Sequence, residues 1–135
     1  MDDIIINKAS TIERCLKRIK EEYQGSETEF ASNYTKQDAI ILNLQRACEA
    51  AIDMATHIVK IRTLGVPQTS KEVFSLLEKA TIIPKSISKK LQAMVGFRNV
   101  AVHDYMALNM EIVQSVIEDE LGVFLQFNKY LLKLN

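Results

Sequence analysis

Apolar residues recur along this chain at steps of three and four, the spacing of one face of an α-helix. There are five such segments, which cover about residues 4–23, 35–64, 70–80, 84–103 and 110–133. The polar segment 25–34 predicts a loop. No strand pattern or internal repeat interrupts the helical spacing. We therefore predict an all-α fold, an antiparallel bundle of about five helices that forms one domain over residues 1–135.

The second predicted helix is apolar on nearly every side, so it should be the central helix of the bundle. At about thirty residues it would be roughly 45 Å long. A polar seam of Asp38, Gln45, Glu49 and Asp53 runs along it at steps of seven, four and four. Together with Arg46, this seam could form a buried polar network against the fourth helix. The surplus apolar surface of the helix favours a subunit interface.

Local sequence signals mark the ends of these helices. Thr35 opens an imperfect capping box at the second helix, and Thr69 with Glu72 forms a better one at the third. Asn109 can cap the fifth helix. Gly122 lies inside that helix at a cost of about 1 kcal/mol relative to alanine, which favours a close contact with another helix there.

One stretch carries candidate chemistry, residues 94–105, with the sequence M-V-G-F-R-N-V-A-V-H-D-Y. Arg98 lies five residues before His103, and Tyr105 lies two residues after it. A guanidinium matches phosphate oxygens with its fork of N–H donors, and an imidazole exchanges protons near neutral pH. An arginine and a histidine that lie close together can therefore break a phosphodiester bond without a metal ion, with the RNA 2′-hydroxyl as nucleophile.

Spacing limits how these two groups can meet. Residues five apart in an α-helix are separated by roughly 140° around the axis, so Arg98 and His103 do not share a helical face. Either the helix ends near His103, or a second surface completes the site. A second copy of the chain, packed across a two-fold axis, is the simplest such surface. We therefore expect a homodimer with a shared cleft.

The spacing R-x4-H-x-Y, here Arg98-Asn-Val-Ala-Val-His103-Asp-Tyr105, resembles the motif of the HepT toxins, which belong to the HEPN ribonucleases. The resemblance extends to Asp38 and to residues 44–49 (L-Q-R-A-C-E), and it covers nearly the whole chain. It implies an endoribonuclease toxin that cleaves mRNA or tRNA with Arg98 and His103. It also implies a partner, an MNT-type nucleotidyltransferase antitoxin that silences the toxin by attaching AMP to Tyr105.

Further polar residues are candidates for supporting roles. Asn99 can hydrogen-bond to backbone or to phosphate, and Glu49 or Asp38 could pair with Arg98 and orient it. Arg46 could join this group, or it could form only a local helix contact with Glu49. A basic cluster one to three turns before the motif is either a solvated surface or a guide for RNA, and it consists of Lys85, Lys89 and Lys90.

The other histidine, His57, lacks comparable neighbours in the sequence. Asp53, four residues earlier, could form a salt bridge with it or act with it as a pair of metal ligands. Because a protein zinc site needs three or four ligands, we expect a structural or exposed role for His57. The sequence therefore predicts no metal site and no cofactor.

Charge and cysteine content narrow the function classes. The chain carries 17 basic and 17 acidic residues, so its net charge is zero. This balance argues against a strong general nucleic-acid binder and requires positive charge to be concentrated locally. Cys15 and Cys48 lie in apolar helical patterns, as buried reduced thiols of a cytoplasmic protein do. No apolar run is long enough to cross a membrane.

Two other functions are weighed against the ribonuclease. The chain could be a non-catalytic helical adaptor that presents nucleotide or substrate to a nucleotidyltransferase. The zero net charge and the apolar second helix suit an adaptor, but the intact Arg98–His103 pair does not. A helical bundle with a metal in its polar seam would need a ligand cluster that the sequence lacks. Growth arrest that His103→Ala relieves would exclude the adaptor.

Overall fold

The computed structural model describes residues 2–134, and every regular element in that range is helical. Its α-helices are α1 (Asp3–Tyr23), α2 (Tyr34–Ile61), α3 (Ser70–Lys79), α4 (Lys85–His103), α5 (Met110–Ser115) and α6 (Gly122–Leu132). A 3₁₀ turn, Tyr105–Ala107, follows α4, and a π-helical turn, Val116–Glu120, joins α5 to α6. The predicted all-α class is confirmed, although the predicted fifth helix is divided by the π turn.

The central position predicted for α2 is confirmed. This helix contacts α1, α3, α4 and α6, so its apolar residues are covered from several directions. Leu44 and Met54 are fully buried within one continuous core. Burying a side chain of this size stabilises the fold by roughly 1.5–3 kcal/mol. The nearly all-apolar surface of α2 is therefore the main source of core contacts, and it positions the other helices around a single rod.

Helix α1 covers one side of α2 with the predicted apolar stripe. Ile5, Ile12 and Ile19 on this stripe are buried, whereas the basic residues beside it are exposed. Asp2 caps α1, because its carboxylate accepts a hydrogen bond from the backbone N–H of Ile4 at 2.9 Å. No helix in the described range is both long enough and apolar enough to span a membrane.

The capping predictions are partly confirmed. Thr69 accepts a hydrogen bond from Glu72 N–H at 3.2 Å, and Asn109 accepts one from Glu111 N–H at 2.9 Å. The prediction for α2 is wrong, because Asn33 caps this helix two residues before Thr35. Asparagine is the stronger N-cap residue, so the helix begins earlier.

The close contact predicted at Gly122 is wrong. This glycine is exposed, and a Cβ atom added to it would meet no atom within 4 Å. Gly122 is exposed because it lies two residues before the buried Phe124. Two residues correspond to about 200° around the axis, so Gly122 is on the opposite side of the helix.

Candidate functional site

The motif lies where α4 ends. His103 is the last residue of α4, and Asp104 leaves the helical conformation with φ −153° and ψ 64°. The prediction that the helix ends near His103 is confirmed. Both Asn99 and His103 are exposed, and within residues 2–134 neither side chain takes part in a hydrogen bond or an ion pair. The imidazole of His103 is therefore open to a ligand.

Arg98 points away from His103, towards α2 and α3. Its Nη2 donates to Ser70 Oγ at 3.3 Å, and its Nε is buried without an acceptor. The expected pairing with Glu49 or Asp38 is wrong, because no ion pair in the described range includes Arg98. A guanidinium that no carboxylate neutralises keeps its full charge for an anionic ligand.

The buried thiol of Cys48 lies next to Arg98. Burial raises the pKa of Cys48 to about 12, and the positive charge of Arg98 offsets part of that rise. Its Sγ donates to the backbone carbonyl of Met94 at 3.6 Å. The thiol therefore stays protonated near neutral pH, which excludes it as a nucleophile at this site.

Tyr105 connects the turn after α4 to the first turns of α2. Its hydroxyl donates a short hydrogen bond to Asp38 Oδ1. Burial raises the pKa of Tyr105, and the hydrogen bond and negative charge of Asp38 raise it further. The phenol is therefore neutral near pH 7, and a proton acceptor already contacts it.

The buried polar network predicted along α2 is wrong. Asp38, Arg46 and Asp53 are exposed, and Glu49 is half-buried without an ion pair in the described range. Asp53 instead pairs with Lys8 of α1 at 3.0 Å. The seam lies towards solvent because α1, α3, α4 and α6 cover the apolar sides of α2.

His57 has a structural partner, but it is not Asp53. Its Nε2 lies 2.6 Å from Asp2 Oδ2, the same carboxylate that caps α1. This hydrogen bond is the largest cause that holds the pKa of Asp2 below its ordinary value. Among the side chains of residues 2–134, no three of His, Cys, Asp or Glu gather closely enough to hold a metal ion.

Sequence reasoning missed two residues beside the motif, Ser70 and Lys71. Ser70 orients Arg98, and the Lys71 ammonium lies 3.5 Å from the position of a Cβ on Gly96. No local pattern identifies them, since they reach α4 only through the packing of α3. The predicted basic cluster at the other end of α4 is exposed, and no ion pair in the described range includes its members Lys85, Lys89 and Lys90.

An apolar groove runs along α4 beside the motif. It comprises a cavity of about 310 Å³ beside the motif and a second one of about 380 Å³, whose lining also includes the charged residues Lys89, Lys90 and Glu120. Ile112, in the groove wall, is 57% exposed. His103 projects from the same face of α4 as Gly96 and Val100, seven and three residues earlier. The groove is lined by Ala93, Gly96, Phe97, Val100, Leu108 and Ile112, among others.

Comparison with known proteins identifies the family. Residues 12–131 match the family model described as Ribonuclease HepT-like. The chain is 50% identical over 127 residues to the mRNA nuclease HepT of Shewanella oneidensis. The aligned residues make up 94% of this chain and 95% of that protein. It is 29% identical over 135 residues to the tRNA nuclease HepT of Aphanizomenon flos-aquae, over 97% of this chain and 92% of that protein.

A solved structure has the same architecture. The tri-AMPylated HEPN toxin of Shewanella oneidensis, in complex with an MNT antitoxin, superposes on this chain with a TM-score of 0.93. The two are 48% identical, and the superposition covers 97% of this chain and 98% of the toxin. With the family match over residues 12–131, this likeness confirms the predicted resemblance: the chain belongs to the HepT-like ribonucleases.

Proposed function

We propose that this chain is a metal-independent endoribonuclease toxin whose active site forms between two copies of the chain. One observation carries the proposal. The end of α4 presents an arginine that no carboxylate neutralises, Arg98, and a solvent-open histidine, His103. Two relatives are named mRNA and tRNA nucleases, which supports RNA as the substrate. Both cysteines are free and buried, which fits the reducing cytoplasm.

The cleavage follows from these two side chains. A ribose 2′-hydroxyl attacks the adjacent phosphorus, and its proton passes to the neutral imidazole of His103. The bond from phosphorus to the 5′-oxygen breaks, and a protonated imidazole gives that oxygen its proton. Arg98 stabilises the charge that develops on the phosphoryl oxygens, a role in which preorganised donors contribute several kcal/mol. The products carry 2′,3′-cyclic phosphate and 5′-hydroxyl ends.

A second copy of the chain would bring together the Arg98 and His103 side chains, which are separated within one chain. Within one chain Arg98 turns towards α2 and α3, whereas His103 projects from the face that carries the apolar groove. Ala93, a small and exposed residue of the groove, leaves room for another helix to approach. Two copies that pack their grooves together would bring both histidines to one crevice. One imidazole then acts as the base and the other as the acid.

Cleavage assays test this proposal directly. We expect the purified protein to cut RNA in the presence of EDTA, to leave 2′,3′-cyclic phosphate ends, and to leave DNA of the same sequence intact. The variant His103→Ala should keep its fold and association state but not cut RNA.

A requirement for divalent cations, or cleavage of DNA, would contradict attack by the 2′-hydroxyl. Full activity of a strictly monomeric form would refute the shared site, and a folded, inactive wild type would favour the adaptor.

The partner follows from Tyr105. We propose that an MNT-type nucleotidyltransferase antitoxin silences this chain by AMPylation, as the structure of its AMPylated relative supports. The Tyr105 hydroxyl oxygen attacks the α-phosphorus of ATP, pyrophosphate leaves, and the hydroxyl proton passes to Asp38, which already accepts a hydrogen bond from it. Each AMP adds negative charge and bulk two residues from His103. Repulsion of the RNA phosphate and steric occlusion then both oppose substrate entry.

Mass spectrometry after incubation with the nucleotidyltransferase and ATP tests this step. Tyr105→Phe should gain no AMP and should stay active as a ribonuclease in the presence of the antitoxin. Asp38→Asn should be AMPylated more slowly than the wild type, whereas Glu49→Gln, on the same helix, should be unaffected. AMP found on another residue of Tyr105→Phe, with loss of cleavage, would refute the assignment of Tyr105.

A further inference from the structure

A second site lies at the opposite end of α4 from the motif. The first turns of α4 and the last turns of α6 enclose a pocket of about 370 Å³. Three lysines line it: Lys90 from α4, Lys129 from the last turn of α6, and Lys133, the C-cap residue that follows α6. Ser86, Gln126 and Tyr130 add neutral hydrogen-bonding groups, Pro84 and Ile87 add apolar surface, and no carboxylate lines the pocket. The pocket therefore concentrates positive charge in a chain whose net charge is zero.

The three pocket lysines, Lys90, Lys129 and Lys133, form no salt bridge with the side chains that the structure describes. The two lysines of α6 are four residues apart, where like charges repel one another across one helical turn. Their position at the end of α6 is nevertheless favourable, because cations interact well with a helix C-terminus. Helix stability thus explains the α6 lysines, but it does not explain their convergence with Lys90.

The beginning of α4 has the opposite electrostatics. Lys85, Lys89 and Lys90 lie within its first six residues, and its first turn contains no acidic residue. A cation in the first turn of a helix is destabilising because it lies at the positive end of the helix dipole, and this applies to Lys85. No side chain caps this helix either. Positive charge at the uncapped start of α4 is unfavourable for the helix itself, and an anion bound there would explain why the sequence retains it.

We propose that this pocket binds a phosphate group of the RNA backbone away from the scissile bond. The inference rests on the proposed ribonuclease function and adds a substrate contact to it. Lys90 and His103 are thirteen residues apart on one straight helix, hence about 20 Å, a distance that a strand of several nucleotides spans. Lysine ammonium groups bind phosphate as point charges, and the Ser86 hydroxyl and Gln126 amide in the same pocket can donate to its oxygens.

A concave site favours RNA over an acidic protein surface. The pocket admits a group of phosphate size, and the three exposed lysines at its rim can converge on one such group. An RNA strand presents a phosphate at every nucleotide, so one of them reaches the pocket in any register. This contact is independent of sequence, which suits a nuclease that must hold its substrate without a general basic surplus.

Binding measurements on an inactive background test the proposal. Fluorescence anisotropy of a labelled RNA oligonucleotide is measured with His103→Ala protein, alone and with Lys90→Gln, Lys129→Gln and Lys133→Gln combined. A matched control removes three charges from the exposed face of α1, with Lys17→Gln, Arg18→Gln and Lys20→Gln combined. A third protein carries arginine at the three pocket positions. Thermal melts verify that all variants fold.

The pocket variant should bind RNA at least about tenfold more weakly, and the slope of log K against log salt should fall by roughly 0.7, the value for one lost phosphate contact with a single strand. The α1 control should change less than twofold, and the arginine variant should bind as the parent does. In active protein, the glutamine substitutions in the pocket should raise KM for RNA and leave kcat nearly unchanged.

Several results would overturn the proposal. Equal weakening by the pocket variant and the α1 control would show only a loss of general charge. Amide shifts at Ser86 and Gln126 with inorganic phosphate, without any effect of the pocket variant on RNA affinity, would show a free-phosphate site. Weaker binding of the nucleotidyltransferase with unchanged RNA affinity would show a protein contact. Because binding is measured with inactive protein, a wild type that cuts no RNA would refute the proposed function separately.

Discussion

The two histidines of this chain lie in contrasting surroundings. His57, with a side chain 19% exposed, bonds through Nε2 to the carboxylate of Asp2 and so joins the start of α1 to α2. His103 ends α4, is exposed, and has no hydrogen-bond partner within the described residues 2–134. A bonded, half-buried ring stabilises the fold that it connects. An exposed ring without a partner can exchange protons with a ligand, and for this reason the proposed function assigns the catalytic role to His103 and a structural role to His57.

The largest expected effect comes from exchanging each histidine for alanine. His103→Ala should lower the initial rate of RNA cleavage at least about 100-fold, since a general acid–base group contributes roughly 10²–10⁴. Its Tm should not change. His57→Ala should have the reverse result, a lower Tm with an unchanged cleavage rate at a temperature where both proteins are folded. Equal losses of activity in the two variants would remove the contrast between the histidines.

A second effect of similar size should come from Arg98→Lys. Lysine keeps the charge but lacks the planar fork that Ser70 orients, and loss of such a donor typically costs about 10²–10³ in rate. We expect kcat at saturating RNA to fall by about 100-fold. Arg46→Lys, at an exposed position on α2, is the control and should keep the wild-type kcat. An active Arg98→Lys enzyme would show that charge alone suffices.

Gly122→Ala should separate stability from activity. The position is helical, exposed and free of neighbours within 4 Å of an added Cβ, so alanine should raise the free energy of unfolding by about 1 kcal/mol. Urea denaturation measures the gain, and the cleavage rate should stay unchanged. A loss of stability would mean that the π turn before Gly122 requires glycine.

The smallest expected effect is a pH dependence of the free energy of unfolding that comes from Asp2. The hydrogen bond with His57 holds the pKa of Asp2 below its ordinary value in the folded protein. Since folding lowers this pKa, the ionised carboxylate stabilises the fold above about pH 4, and the stabilisation is lost as pH falls through the lowered pKa. The free energy of unfolding of Asp2→Asn, measured between pH 2 and pH 7, should therefore fall less steeply towards acid pH than that of the wild type. Asp3→Asn, at the adjacent exposed position, should leave that slope as in the wild type.

The helices could be predicted from the sequence because burial follows a local period. Ile5, Ile12 and Ile19 form a stripe in the sequence and a buried line in the structure. Helix ends were harder, because neighbouring cap residues compete. Asn33 rather than Thr35 caps α2, because asparagine is the stronger N-cap residue of the two.

The candidate site was predictable only in part. Residue type and spacing made Arg98, His103 and Tyr105 the candidates, yet the partners of Arg98 and Tyr105 lie far away in the chain. Ser70 is 28 residues from Arg98, and Asp38 is 67 residues from Tyr105. No periodicity links such positions, so charge matching suggested the wrong pair, Arg98 with Asp38 or Glu49.

By itself, the sequence determined which segments are helical and which side chains can carry phosphodiester chemistry, because both depend on residue type and on spacing along one element. Only the tertiary structure decided what each of those side chains faces. Packing against α2 and α3 turns Arg98 inward to Ser70, while the end of α4 leaves His103 in solvent. The same packing brings the lysines of α6 to the beginning of α4. These contacts depend on how helices cross in space, and the spacing within any one helix carries no information about that.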